Sequence, residues 1–184
     1  MLSLASRKST HPMNLRLLPV LLLGLLFLAG ELPSARAQEP LNGGVAQELP
    51  KVDFTIGKAT LHTEIASTSM QREIGLMYRT KMADNDGMIF IMPAVGPVTF
   101  WMKNTRIALS IAFVDKSGVI LEIHDMQPED FSKPHTDRDL PITHSESDQI
   151  AYALEANIHW FALNGIKPGA KLDPLPATLG GPKP

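Results

Sequence analysis

The chain has 184 residues, of which 44% are hydrophobic and 20% charged, with a formal net charge of −2 and no cysteine. That length suits one domain. The absent thiol excludes disulfides, thiolate metal sites, a cysteine nucleophile and a lipid anchor on cysteine.

The N-terminus has the layout of a secretory leader. Arg7, Lys8 and Arg16 give a positive start, and Leu17–Gly30 is an apolar run of 14 residues, short for a bilayer span. Ala35-Arg36-Ala37 then supplies a small-x-small cleavage signal. A signal peptide over 1–37, cut after Ala37, predicts an exported protein, periplasmic or secreted; left uncut, the same segment would be a membrane anchor. The leader carries four basic residues (Arg7, Lys8, Arg16, Arg36) against one acid, Glu31, so cleavage leaves 147 residues with 13 basic and 18 acidic side chains, net −5. An acidic domain lacks the basic footprint that nucleic acid requires.

Residues 38–50 hold Pro40, Gly43, Gly44 and Pro50 without periodicity and read as a mobile tether. Val52, Phe54 and Ile56 alternate with polar residues, as do Leu61, Thr63 and Ile65 beyond Gly57-Lys58. This predicts a β-hairpin with one buried face. Thr68 and Gln71 have capping-box spacing and open a predicted helix over Ser69–Met77, with Met70, Ile74 and Met77 on one face and Gly75 weakening it.

The stretch from Gly87 to Asp115 carries three short apolar runs, Met88–Met92, Val98–Met102 and Ile107–Val114, each of strand length. Asp115-Lys116-Ser117-Gly118 is a hairpin turn, and Val119–Met126 returns antiparallel. Gln127–Gln149 is polar, holds Pro128, Pro134 and Pro141, and reads as a long loop. In Ile150–Gly165 the spacing of Ile150, Leu154, Ile158 and Phe161 is helical, while Ile150, Tyr152 and Leu154 alternate as in a strand. Ala170–Leu172 is placed to close the sheet, and 174–184, with four prolines and two glycines, reads as an irregular tail. The pattern predicts a single α+β domain over 51–173. Its sheet is mainly antiparallel and barrel-like, of six or seven short strands with one or two short helices.

The ordered series Gly75-Leu76-Met77-Tyr78-Arg79, Gly87-Met88-Ile89-Phe90 and Trp101-Met102-Lys103-Asn104-Thr105 resembles the family called domain of unknown function 192. Tyr152-Ala153-Leu154-Glu155 and Gly165-Ile166-Lys167-Pro168-Gly169 continue the match, which runs from Phe54 to Leu172. The resemblance implies a β-rich domain with Tyr152–Ala156 as a strand and Ile158–Asn164 as a short helix. It supplies no activity. Relatives usually carry Pro-Leu-Asp after the Asn-Thr pair, where this chain has Ala108-Leu109-Ser110. A general base at that acid would therefore be missing here.

The candidate binding corner is Arg79 with Trp101, Lys103, Asn104 and Thr105: a guanidinium, an amide and a hydroxyl suit a carboxylate or phosphate, and Trp101 offers a stacking surface. Asn and Thr are also ordinary turn residues, and an arginine often bonds loop carbonyls. The alternative is a hydrolase or metal-dependent enzyme using His124, His135 and His144, whose separations of 11 and 9 residues are looser than a helical metal pair. Ser145 follows His144 without a nucleophile-elbow motif. Copper handling by histidine and the seven methionines beyond the leader is a third reading, although most of these methionines lie in apolar runs where they fill core space. The reading carried forward is an accessory or ligand-binding domain for a small polar or anionic group or a protein partner. It includes no cofactor, no metal and no nucleic acid, and a membrane only through an uncleaved leader.

Overall fold

The computed structural model describes residues 44–132, 139–174 and 176–179. The leader, the first part of the tether, His135 and the end of the tail lie outside the described residues.

Among the described residues nine strands and two short α-helices follow in order: β1 (Lys51–Ile56), β2 (Ala59–Ala66), α1 (Ser69–Ile74), β3 (Asp86–Ile91), β4 (Thr99–Trp101), β5 (Leu109–Val114), β6 (Ile120–Met126), β7 (Ile142–His144), β8 (Tyr152–Asn157), α2 (Trp160–Leu163) and β9 (Leu172–Asp173). Seven strands form one curled sheet in the order β6-β5-β8-β3-β2-β1-β9, and β4 pairs with β7 in a separate ribbon. The fold is thus the predicted α+β, with one departure from antiparallel order. β2 and β3 run parallel, joined across α1, and every other pairing is antiparallel.

The hairpin β1–β2 turns at Gly57-Lys58 as its sequence dictates, with Ile56 opposite Ala59. The second hairpin is set by Asp115, whose Oδ1 accepts the backbone N–H of Ser117 at 2.8 Å and of Val119 at 2.9 Å. The segment before β9 closes the sheet at one end. Ile120 N–H donates to the Ala170 carbonyl, Leu172 N–H to that of Gly118 and Gly169 N–H to that of Ile120, while Leu172 and Asp173 pair with β1.

Both faces of the sheet are covered, which is why β5 and β8 read as continuous apolar runs rather than as alternation. One face packs Phe54, Ile56, Leu61, Ile89 and Leu154 against Trp160 and Phe161. The other gathers Met88, Phe90, Met102, Leu109, Ile111, Phe113 and Ala153. Successive side chains of a strand point to opposite faces. Leu154 and Ala156 therefore belong to the first core, and Ala153 and Glu155 to the second face.

Five expectations are corrected. The predicted helix stops at Ile74, because Gly75 adopts φ 48°, ψ −129°, a conformation open to glycine. Met70, expected on the buried face, is exposed, while Ile74 and Met77 are buried. The long polar segment after Met126 contains β7, whose Thr143 faces Phe100 of β4; three residues of mixed polarity gave no periodic signal. The end of the tether is docked: the Gln47 side-chain amide donates to the carbonyls of Gln71 at 2.8 Å and Gly75 at 2.9 Å. Part of the tail, Pro176–Leu179, forms a 3₁₀ turn with Pro176 buried.

Candidate functional site

A cavity of about 510 Å³ opens between α1, the stretch after it, the β4–β7 ribbon and the second face of the sheet. Each wall has a local cause. α1 is fixed by its capping box, the Thr68 hydroxyl accepting Gln71 N–H while the Gln71 side chain accepts Thr68 N–H at 3.0 Å. Ile74, Leu76 and Met77 line the cavity below it. The ribbon contributes Thr99, Phe100, Trp101 and Ile142. Phe100 meets Phe90 of β3 edge to face, with ring centroids 5.0 Å apart.

The polar corner follows β4. Met102 is buried and Thr105 N–H donates to its carbonyl at 3.1 Å, closing the turn. Asn104 sits at φ 54° in the left-handed region that asparagine tolerates. Its carbonyl accepts Tyr78 N–H at 2.8 Å, its side-chain amide donates to the Tyr78 hydroxyl at 3.2 Å, and its own N–H donates to the Glu129 carboxylate. Lys103 Nζ lies 5.3 Å from the centre of the Trp101 ring, a cation–π pair on the cavity wall.

Glu155 lies at the back of this cavity. It is 4% exposed, and its cross-strand neighbours are Met88 on β3 and Ile111 on β5. Its carboxyl makes no hydrogen bond or ion pair among the described residues and lines the cavity. Burial alone pushes its pKa up to about 8, so the group is mostly protonated at neutral pH. A perturbed acid in a cavity is a marker of functional sites. Sequence reasoning passed over Glu155, which stood only within the Tyr152–Glu155 match. The available signal was one acid inside the apolar run Ile150–Ala156.

Of the corner residues named from sequence, Trp101, Lys103 and Thr105 line the cavity. Asn104 stands behind them and fixes the turn. Arg79 is directed elsewhere. It grips Glu64 with two parallel contacts of 2.8 Å each and donates to the Gln47 carbonyl at 2.7 Å. It borders a second, more polar hollow with Lys51, Lys81 and Asp86.

Asn104→Ala is expected to cost about 1–2 kcal/mol, since it loses the amide's bond to Tyr78 and puts alanine at a positive φ. Asn104→Gly should recover part of that loss. Urea unfolding of both variants measures it, and an unchanged midpoint in Asn104→Ala would show that the turn holds without the amide.

The two described histidines of the alternative site have separate partners. His124 Nε2 pairs with Glu122 at 2.7 Å, and His144 Nδ1 shares a 2.9 Å bond with the Thr99 hydroxyl. Glu122 also accepts the backbone N–H groups of Glu146 and Ser147, which hold its carboxyl below the ordinary range against the opposing effect of burial. Among the described residues no three histidine, aspartate or glutamate side chains converge as metal ligands do. Ser145 bonds the ribbon, accepting Val98 N–H at 3.0 Å and donating to the Ser147 carbonyl at 2.9 Å.

Ser110, where the family resemblance leads one to expect an acid, lies on the first face of the sheet, opposite the cavity. Its hydroxyl donates to Asp125 and accepts His159 N–H at 2.7 Å, while the His159 ring bonds the other Asp125 oxygen at 2.8 Å. The histidine ring thus addresses the acid and not the hydroxyl. Ser110 thus belongs to a clamp between β5, β6 and the start of α2, and is not part of the cavity wall.

Two solved structures are similar to the domain. A protein from Sinorhizobium meliloti 1021, described as a candidate transcription regulator, shares 32% identity over 69% of this chain and 95% of its own, with a TM-score of 0.60. A protein of unknown function from Novosphingobium aromaticivorans DSM 12444 shares 31% identity over 77% of this chain and 94% of its own, with a TM-score of 0.56. No curated protein matches the chain in sequence. Residues 52–174 match the model of DUF192, described as "Uncharacterized ACR", and the chain belongs to that family.

Proposed function

We propose that this is an exported ligand-binding domain whose site is the cavity behind the Trp101–Thr105 corner. The observation that carries the reading is Trp101, half-exposed and stacked with Lys103, on the wall of a cavity of about 510 Å³ lined mainly by apolar and aromatic side chains with a few polar and charged ones. Such hollows, apolar with a few convergent polar groups, are the usual form of small-molecule sites. The ligand has an apolar body, and a polar or anionic end meets Lys103 at the corner. Asn104 supports the site by holding the backbone of the corner, while Arg79 is tied to Glu64 beside the second hollow.

The sequence's net −5 beyond the leader supports a partner other than nucleic acid. The regulator description belongs to the Sinorhizobium protein. Export is supported by the Leu17–Gly30 run and Ala35-Arg36-Ala37. N-terminal sequencing of the exported fraction is expected to begin at Gln38, and intact Met1 in a membrane fraction would make the protein anchored instead.

The binding reading is tested by screening small carbonyl compounds, carboxylates and sugars by thermal shift and tryptophan fluorescence. Trp160 is buried and bonded to Asn85, so a change in fluorescence that disappears in Trp101→Ala reports the cavity. A ligand is expected to lose about tenfold in affinity in that variant, or about 1.4 kcal/mol. A screen in which no compound moves either signal refutes the binding site.

A further inference from the structure

We infer that Glu155 recognises a neutral carbonyl oxygen of the bound molecule by donating its carboxyl proton to it. The cavity would then select small amides, esters or ketones with an apolar body over amines and acids of the same shape. The inference rests on the cavity being a ligand site, and it adds what that site reads.

Glu155 is 4% exposed on a central strand, yet its carboxyl makes no hydrogen bond or ion pair among the described residues. A buried polar group without a partner is costly and calls for an explanation. Among the described residues, the open space that Glu155 borders is the cavity it lines. A protonated carboxyl offers one O–H donor, whose complement is an acceptor oxygen.

The surroundings then decide the acceptor's charge. Met88 and Ile111 flank Glu155 on the neighbouring strands and offer a charge nothing to pair with. The ribbon turns Thr99, Phe100, Trp101 and Ile142 to the cavity, none of them charged. The charged groups of the cavity wall are Arg72 and Glu73 of α1 and Lys103 of the corner. Two of the three are cations, which disfavours a bound ammonium. A carboxylate carried to the apolar back of the cavity would meet the full desolvation cost of a buried charge. A neutral carbonyl avoids both penalties. Burial, which keeps Glu155 protonated at neutral pH, supplies the proton.

Three probes with one body separate the possibilities: phenylacetamide, phenylacetate and phenethylamine. Binding to the wild-type domain is followed by calorimetry between about pH 6 and pH 9, and the Glu155 side-chain carboxyl is followed by carbon NMR, with Glu155→Gln giving the assignment. Phenylacetamide is expected to bind best and to raise the Glu155 midpoint. Its affinity should fall by up to tenfold per pH unit above the ligand-free midpoint, as the donor is lost. Glu155→Gln, whose amide still donates, should bind without that pH dependence, and Glu155→Leu should lose about tenfold or more. The midpoint is read in the wild-type domain, so a folding defect in Glu155→Leu cannot hide the result; in that titration Glu155→Gln, near-isosteric with the native side chain, serves only to assign the signal.

Preference for phenethylamine, with affinity rising toward pH 9 and the Glu155 midpoint lowered, would make this an ammonium site and overturn the inference. Preference for phenylacetate would overturn it as well. Equal binding of all three, lost in Trp101→Ala and unchanged in Glu155→Leu, would overturn the role of Glu155 and leave the cavity a binding site. Silence of every probe at both Trp101 and Glu155 would overturn the inference together with the binding reading.

Discussion

Glu155→Gln is expected to stabilise the domain at neutral pH, and the gain should vanish in acid. The reason is linkage between protonation and folding. Glu155 titrates near its ordinary value of 4.5 in the unfolded chain and near about 8 in the native fold, because burial opposes its charge. Below pH 4.5 both states hold the proton and the shift has no effect. Between pH 4.5 and about 8 the unfolded chain releases a proton that the native state retains, and native stability falls by about 1.4 kcal/mol per pH unit. By pH 7 the accumulated loss is about 3 kcal/mol, a large share of a small domain's stability. Gln has nearly the same shape and no proton to release, so it avoids the loss. Urea unfolding at pH 4, 7 and 8.5 measures the difference. The two proteins should agree to within about 0.5 kcal/mol at pH 4, and the variant should be ahead by up to about 3 kcal/mol at pH 7. A difference independent of pH would mean that Glu155 is ionised and hydrated in the native state, which would also remove the donor that the cavity offers a carbonyl.

The same residue marks the boundary of what the sequence reveals. The strands were legible because their apolar runs are bounded by strong turn chemistry. Gly57-Lys58 and Asp115–Gly118 sit at the tips of the two hairpins, and Thr68 with Gln71 opens α1. β7 was not legible, because its three residues pair with β4, far away in the chain, and show no periodicity alone. The docking of Gln47 was hidden for a related reason: its amide bonds the exposed carbonyls at the end of α1, a partnership with no local trace. At the site, Trp101, Lys103 and Thr105 were within reach, since three polar side chains next to apolar strands draw notice. Glu155 required knowing which face of β8 it occupies, and in a strand buried on both faces the alternation that would reveal this is absent.

Arg79→Ala is expected to cost about 3–5 kcal/mol, more than any other change at the residues first singled out. Arg79 and Glu64 are 13% and 5% exposed and are joined by two parallel contacts of 2.8 Å each. Removing the guanidinium leaves the Glu64 carboxylate buried with the Leu49 N–H, at 2.9 Å, as its remaining bond. It also frees the Gln47 carbonyl. Breaking one half of a buried ion pair is far more costly than replacing both halves with apolar groups. The double variant Arg79→Met with Glu64→Leu should therefore recover most of the loss, and a double-mutant cycle isolates the coupling. Arg79→Lys should lie between, because lysine keeps the charge but cannot span both carboxylate oxygens. Binding separates this role from that of an anion clamp. Arg79 borders the hollow beside Lys51 and Asp86 rather than the cavity of Trp101, so the folded double variant should bind wild-type ligands with unchanged affinity. A double variant that is stable yet no longer binds would instead place the Arg79 guanidinium on the ligand.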